Sequence, residues 1–136
     1  MKTVFADTSY YLALLHTDDA RHMEAIGFSR EASLRTVTTA WVLTEVANAL
    51  SRASYRNAFV TMFQSLRFNP FVSIIPPSQE VFDLGLDLYA QRPDKDWSLT
   101  DCISFIVMQR HGLTDALTGD RHFQQAGFKA LLAHEE

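Results

Sequence analysis

The 136-residue chain has a single cysteine, no apolar stretch near the length of a membrane span, and no surplus of basic residues. Each shortage removes a class of protein. Cys102 alone forms no intramolecular disulfide and has no second thiol for a structural zinc site. Set among Leu99, Ile103 and Ile106, it reads as core. A membrane helix takes about 20 apolar residues, and the opening Met1-Lys2-Thr3-Val4-Phe5-Ala6-Asp7 lacks the apolar run of a signal peptide. A cytoplasmic protein without membrane attachment is therefore expected. A formal charge of −4 at pH 7 argues against gripping nucleic acid with a broad basic stripe. Such a chain acts on nucleic acid only if cations neutralise its site and scattered bases such as Arg52, Arg56, Arg67, Lys95 and Arg121 meet phosphates. Repeats, low-complexity tracts and Gly/Ser linkers are also missing. Pro76-Pro77 is too short to act as a linker between domains, so one domain over residues 1–136 is expected.

What the chain does have is 47% hydrophobic composition, laid out as short apolar runs alternating with longer segments of helical period. That alternation marks an α/β sandwich with a parallel sheet and crossover helices. Strands are expected over residues 3–6, 35–38, 71–75, 115–118 and 129–132. Helices are expected over 10–15, 20–33, 40–53, 56–67, 79–91 and 99–111, with a short one near Phe123.

Most of the 16 acidic residues fall where solvent or helix capping accounts for them, but four lie in apolar surroundings. Asp7 follows Val4-Phe5-Ala6, and Asp120 follows Ala116-Leu117-Thr118-Gly119. Both stand at strand C-terminal ends, the edge where open α/β sheets form ligand crevices. Glu45 lies at the margin of a helical face centred on Val42, Val46 and Leu50. Asp101 sits on a helix that Leu99, Cys102, Ile103, Phe105, Ile106, Val107 and Met108 make apolar almost all round, so its carboxylate enters a low-dielectric region, where burying it unpaired costs several kcal/mol or forces protonation.

Each acid has a plainer reading on its own. Ser98-Leu99-Thr100-Asp101 matches a capping box, Asp7 and Asp120 suit turns or caps, and Glu45 suits a solvated flank. What sets these four apart is that they occur together in one chain. Four converging carboxylates without an obvious cationic partner repel one another, and a divalent cation relieves this. Oxygen-only ligands without a histidine pair favour Mg²⁺ or Mn²⁺ over zinc, and Mg²⁺ held by a few carboxylates suits phosphate-ester chemistry.

The residues Phe5-Ala6-Asp7-Thr8-Ser9, Val42-Leu43-Thr44-Glu45, Asp96-Trp97-Ser98-Leu99-Thr100-Asp101-Cys102 and Leu117-Thr118-Gly119-Asp120-Arg121-His122-Phe123 together resemble the PIN-domain family, close to its VapC-type toxins. The resemblance spans nearly the whole chain. It implies a three-layer sandwich with a five-stranded parallel sheet, and a Mg²⁺- or Mn²⁺-dependent endoribonuclease. Its metal ligands would be Asp7, Glu45, Asp101 and Asp120, supported by Thr8 and Thr118. It also implies a homodimer and a cognate antitoxin whose tail enters the acidic cleft. Asp96 is a weaker fifth acidic candidate, and Ser104, three residues past Asp101, is a candidate hydrogen-bond partner or a small packing residue. His22 and His122 read as structural. Trp41, Trp97, Phe105 and Phe123 read as packing more readily than as base-stacking platforms, and Tyr10 and Tyr11 as candidates for dimer packing. Within this reading, one or two metals held by Asp7, Asp101 and Asp120, with Glu45 bound directly or through water, activate water for in-line attack on an RNA phosphodiester, expelling the 3′-hydroxyl. The alternative is a PIN-fold binding or assembly module that holds an ion or an antitoxin-like partner without turnover. A receiver-like signalling domain fits poorly, since the third strand ends on Ile75-Pro76-Pro77 where a phosphorylatable Asp is needed. A phosphatase with an Asp-x-Asp nucleophile is disfavoured because Thr8-Ser9 follows Asp7.

Overall fold

The apolar run that opens the chain becomes the middle of a sheet. In the computed structural model, which describes residues 1–134, β1 (Lys2–Ala6) buries Val4, Phe5 and Ala6 fully, as an inner strand covered on both faces does. β2 (Leu34–Thr39) and β4 (Asp115–Leu117) pair with it on either side, while β3 (Val72–Ile75) and β5 (Lys129–Ala130) lie at the edges. All four pairings are parallel, in the order β3-β2-β1-β4-β5. The chain thus builds outward from β1 to β3 and then returns to the other side of β1. Between β1 and β4 the strand order reverses, and their C-terminal ends flank the crevice such a reversal opens.

The helices are α1 (Thr8–Leu15), α2 (His22–Ser29), α3 (Ala40–Ala49), α4 (Ala53–Arg67), α5 (Gln79–Gln91), α6 (Leu99–Arg110) and α7 (Arg121–Gln125). The five-stranded α/β sandwich expected from the sequence is the fold found. α6 is the buried helix that its composition demands, with Asp101, Cys102, Ile103, Ser104, Phe105, Val107 and Met108 all enclosed. α5 lies close against it at Gly85, where an added Cβ would collide with Ile103 Cγ1 and fall 3.1 Å from Ile103 Cα. Phe105 packs edge-on against Phe123 (4.9 Å) and Trp97 (5.1 Å), and Phe123 stacks on Phe5 (6.2 Å). This aromatic group ties α6 and α7 to β1, which are three of the elements that carry the acids.

Several boundaries differ from expectation for local reasons. The segment expected as one helix over 40–53 ends at Ala49, because Leu50 leaves helical geometry (φ −110°, ψ 27°) and drops into the core at 2% exposure. α4 then starts at Ala53, and its apolar side chains Phe59, Met62, Phe63 and Leu66 are only partly covered. α2 begins at His22 and not at residue 20, since the Asp19 carboxylate accepts the Arg21 backbone N–H (2.8 Å) and holds a turn there. Tyr10 and Tyr11 are buried within their own chain at 4% and 1% exposure, which leaves neither on a face open to a second copy.

Candidate functional site

Asp7 occupies the N-cap of α1 in extended geometry (φ −100°, ψ 169°), yet its side chain makes no capping hydrogen bond. Aspartate is among the best capping residues, so a carboxylate that turns away from this role is held by something else. Thr118, at the end of β4, donates its hydroxyl to Asp7 Oδ2 at 2.9 Å. The same Thr118 oxygen accepts the Asp120 backbone N–H (3.0 Å) and lies 3.1 Å from the Ser9 hydroxyl, which in turn accepts the Gly119 N–H. One buried threonine thus fixes the β1 and β4 ends against each other at the crevice.

The remaining acids arrive from three helices. Glu45, half-buried on α3, accepts the Thr8 hydroxyl at 2.5 Å on Oε1. Asp101 enters from the first turn of α6, where the capping box forms in full: Ser98 Oγ accepts the Asp101 N–H (3.0 Å) and Asp101 Oδ2 accepts the Ser98 N–H (3.1 Å). Asp120 caps α7 through Oδ1, which accepts the His122 N–H at 2.9 Å. The plainer reading of Asp101 and Asp120 as caps is therefore correct and excludes nothing, because each cap uses one carboxylate oxygen and leaves the other.

Two subclusters result. Asp7, Thr8 and Glu45 form one. Asp101, Asp120 and His122 form the other, with a ligand atom of each within 4.8 Å of the other two. Thr118 joins them through its bonds to Asp7 and to the Asp120 backbone. Their charges also interact. Burial pushes Asp7 up from 3.8 to about 7, against the pull of the Thr8 backbone N–H and the Thr118 hydroxyl, and the charges of Asp101 and Glu45 push it the same way. Burial likewise raises Asp101, with Asp120 adding repulsion while hydrogen bonds from His122 and Ser98 oppose the rise.

Of the supporting candidates, Thr8 and Thr118 bond directly to cluster carboxylates. Ser104 does not: its hydroxyl donates to the Thr100 carbonyl (2.9 Å), the back-bond a serine inside a helix makes to the preceding turn. Asp96 stands exposed in the loop before α6, and its side chain makes no hydrogen bond to the cluster among the described residues. Trp97, Phe105 and Phe123 serve the core, as expected, and His22 is structural, with Nδ1 2.7 Å from the Ala13 carbonyl.

Three participants are not evident from the sequence. His122 reads there as structural, but its Nδ1 lies 2.9 Å from Asp101 Oδ2 and 3.4 Å from Asp120 Oδ1; its place two residues after Asp120 is the available signal. Ser9, beside Asp7-Thr8, belongs to the same polar run, which is its signal. Arg21 has none. Its Nε donates to the Leu132 carbonyl (2.8 Å), and its guanidinium lies over Gly119, where an added Cβ would come within 2.6 Å of Nε. A cation is thereby parked on the backbone that leads into Asp120.

The donor set suits a hard divalent cation. Asp7 and Asp101 are only 4% and 7% exposed, and among the described residues no Lys or Arg pairs with any of the four acids. Buried carboxylates in that state stay ionised only when another positive charge arrives.

An all-parallel sheet with carboxylates gathered at its β1/β4 reversal defines an α/β domain with an acidic site. The chain belongs to the PIN-domain family, whose family model matches residues 4–129. It is similar to the 23S rRNA-specific endonuclease VapC20 of Mycobacterium tuberculosis, 27% identical over 125 residues that cover 92% of this chain and 95% of that protein. The crystal structure of that toxin, described as cleaving the sarcin-ricin loop, superposes with a TM-score of 0.82 over 92% of this chain and 95% of that chain. The crystal structure of FitAcB from Neisseria gonorrhoeae shares the fold at 16% identity, with a TM-score of 0.65 and 93% and 95% coverage. Among the described residues no helix is long and apolar enough to cross a membrane.

Proposed function

We propose that this PIN-domain chain is a Mg²⁺- or Mn²⁺-dependent endoribonuclease and the toxin of a VapBC-type toxin–antitoxin pair. The observation that carries the reading is the gathering of Asp7, Glu45, Asp101 and Asp120 with no Lys or Arg paired to any of them among the described residues. Similarity to an rRNA endonuclease over nine-tenths of both chains supports RNA as substrate.

In this reading the four acids hold the cation, and they are prepared for it before it arrives. Thr118 fixes Asp7, Thr8 fixes Glu45, and Ser98 fixes Asp101, each through one oxygen of the carboxylate. When bound, a divalent cation supplies charge for the phosphate oxygens and acidifies water for attack on phosphorus. Enclosure of Asp7 and Asp101 keeps bulk water from their inner faces and strengthens their attraction for a bound cation. Arg21, over Gly119, and the exposed Arg121, next to Asp120, are the cations best placed to draw an RNA backbone toward the cluster.

The protein works in the cytoplasm as a homodimer in this proposal, neutralised by an antitoxin that brings basic side chains to the acidic crevice. Purified protein incubated with ribosomal RNA and Mg²⁺ or Mn²⁺ tests the activity, with EDTA, Asp7→Asn and Asp101→Asn as controls. Discrete cuts that vanish in all three controls support it. Full cleavage by both variants sinks the assignment, and intact RNA under every condition favours a binding module that does not turn over.

A further inference from the structure

His122 is the member of the cluster that the acidic-site reading leaves without a task. Its Nδ1 is 2.9 Å from Asp101 Oδ2. An ionised carboxylate oxygen accepts, so Nδ1, the nitrogen that faces both Asp101 and Asp120, carries the hydrogen and has no lone pair for a metal ion, while the lone pair of the neutral ring sits on Nε2. Asp101 Oδ2 therefore takes two donors, the Ser98 backbone N–H at 3.1 Å and His122 Nδ1–H at 2.9 Å. Oδ1 has no hydrogen bond among the described residues. Two donors on a single oxygen fix the rotation of the carboxylate about its last bond, which one donor does not. The ring is itself held: α7 is capped by Asp120 Oδ1 at the His122 backbone N–H, and Phe123, the next residue, is fully buried against Phe5 and Phe105.

We propose that His122 is a positioning residue which, through Nδ1–H, locks Asp101 so that Oδ1 faces the cation position, and so sets the affinity of the site for divalent ions without ligating them. This inference rests on the acidic cluster being a metal site. Hydrogen-bond partners of metal-binding side chains are commonly worth about 10–100-fold in metal affinity. A histidine acting through Asp101 affects every ion that Asp101 holds, whereas a histidine ligand selects among ions, because a nitrogen donor suits Mn²⁺ better than Mg²⁺.

The test is isothermal titration of Mg²⁺ and of Mn²⁺ into wild type, His122→Ala, His122→Asn and Asp7→Asn, with circular dichroism to confirm folding. Asparagine can present an N–H from the same branch point as the imidazole Nδ1, and neither variant alters the backbone N–H that Asp120 caps. The expected result is a loss of about 10–100-fold for both ions in His122→Ala, with most of the affinity regained in His122→Asn. A loss confined to Mn²⁺ would overturn the proposal by making His122 a ligand. Unchanged affinity in His122→Ala beside a loss in Asp7→Asn would also overturn it while leaving the metal site intact. No ion binding by wild type would remove the metal site and this inference together.

Discussion

A carboxylate buried as deeply as Asp7 should make the metal-free protein weaker as the pH rises. Asp7 is 4% exposed, and burial moves it from 3.8 to about 7. A raised acid in the folded state means that folding stability is complete below about pH 3.8 and is lost as the pH climbs through about 7, because the unfolded chain releases the proton first. At about 1.4 kcal/mol for each tenfold shift the full loss is about 4 kcal/mol, with roughly 2–3 kcal/mol of it between pH 5 and 8. Asp101 shifts in the same direction and adds to the slope. Asp7→Asn removes the ionisation, and its amide oxygen can still accept the Thr118 hydroxyl. In EDTA at pH 8 the variant should melt roughly 10 °C above wild type, and the gap should shrink to less than half of that at pH 5. Saturating Mg²⁺ should raise wild type at pH 8 and leave the variant nearly unmoved. Thermal melts at both pH values, with EDTA or Mg²⁺, read this directly. Wild-type stability that is equal at pH 5 and 8 in EDTA, or an Asp7→Asn protein weaker than wild type at pH 8, would refute the reasoning.

Other substitutions probe the supports. Thr118→Val keeps the shape but removes the donor to Asp7 and the acceptor for the Asp120 N–H; titration should show divalent-ion affinity about tenfold lower, and melts a cost of about 1–3 kcal/mol. Gly85→Ala drives a methyl into Ile103 Cγ1 and should destabilise by about 1–3 kcal/mol in urea titration, with cleavage per folded molecule nearly unchanged. Gly119→Ala should dislodge the Arg21 guanidinium from its seat near the Leu132 carbonyl, seen as a raised KM for RNA with kcat affected less.

The fold is legible where a local pattern has one solution. Val4-Phe5-Ala6 is apolar on successive residues in a run too short for a helix, which suits a strand covered on both faces, and α6 is apolar all round over a helix's length. Boundaries are hidden where a tertiary contact overrides the local pattern. Nothing in the segment from Ala40 to Ala53 announces that Leu50 leaves the helix to fill the core. The four acids stand out because each sits in apolar company, a signal of burial rather than of chemistry. His122 and Arg21 give no such signal, for opposite reasons. His122 bonds Asp101 across 21 residues of chain, and Arg21 meets Gly119 from a helix start that reads as ordinary solvated surface. The capping reading of Asp7 stands until the structure places its side chain on Thr118 instead. Asp101 holds its cap and a place in the cluster at once.

The acidic crevice, on this account, cleaves RNA with a divalent cation and water. The most direct measurement is the chemistry of the ends left when wild-type protein and Mg²⁺ act on ribosomal RNA, with the EDTA reaction alongside. Attack by water that expels the 3′-oxygen leaves 5′-phosphate and 3′-hydroxyl ends, and these should appear only with the cation present. Ends bearing a 2′,3′-cyclic phosphate, or equal cleavage in EDTA, would contradict the account.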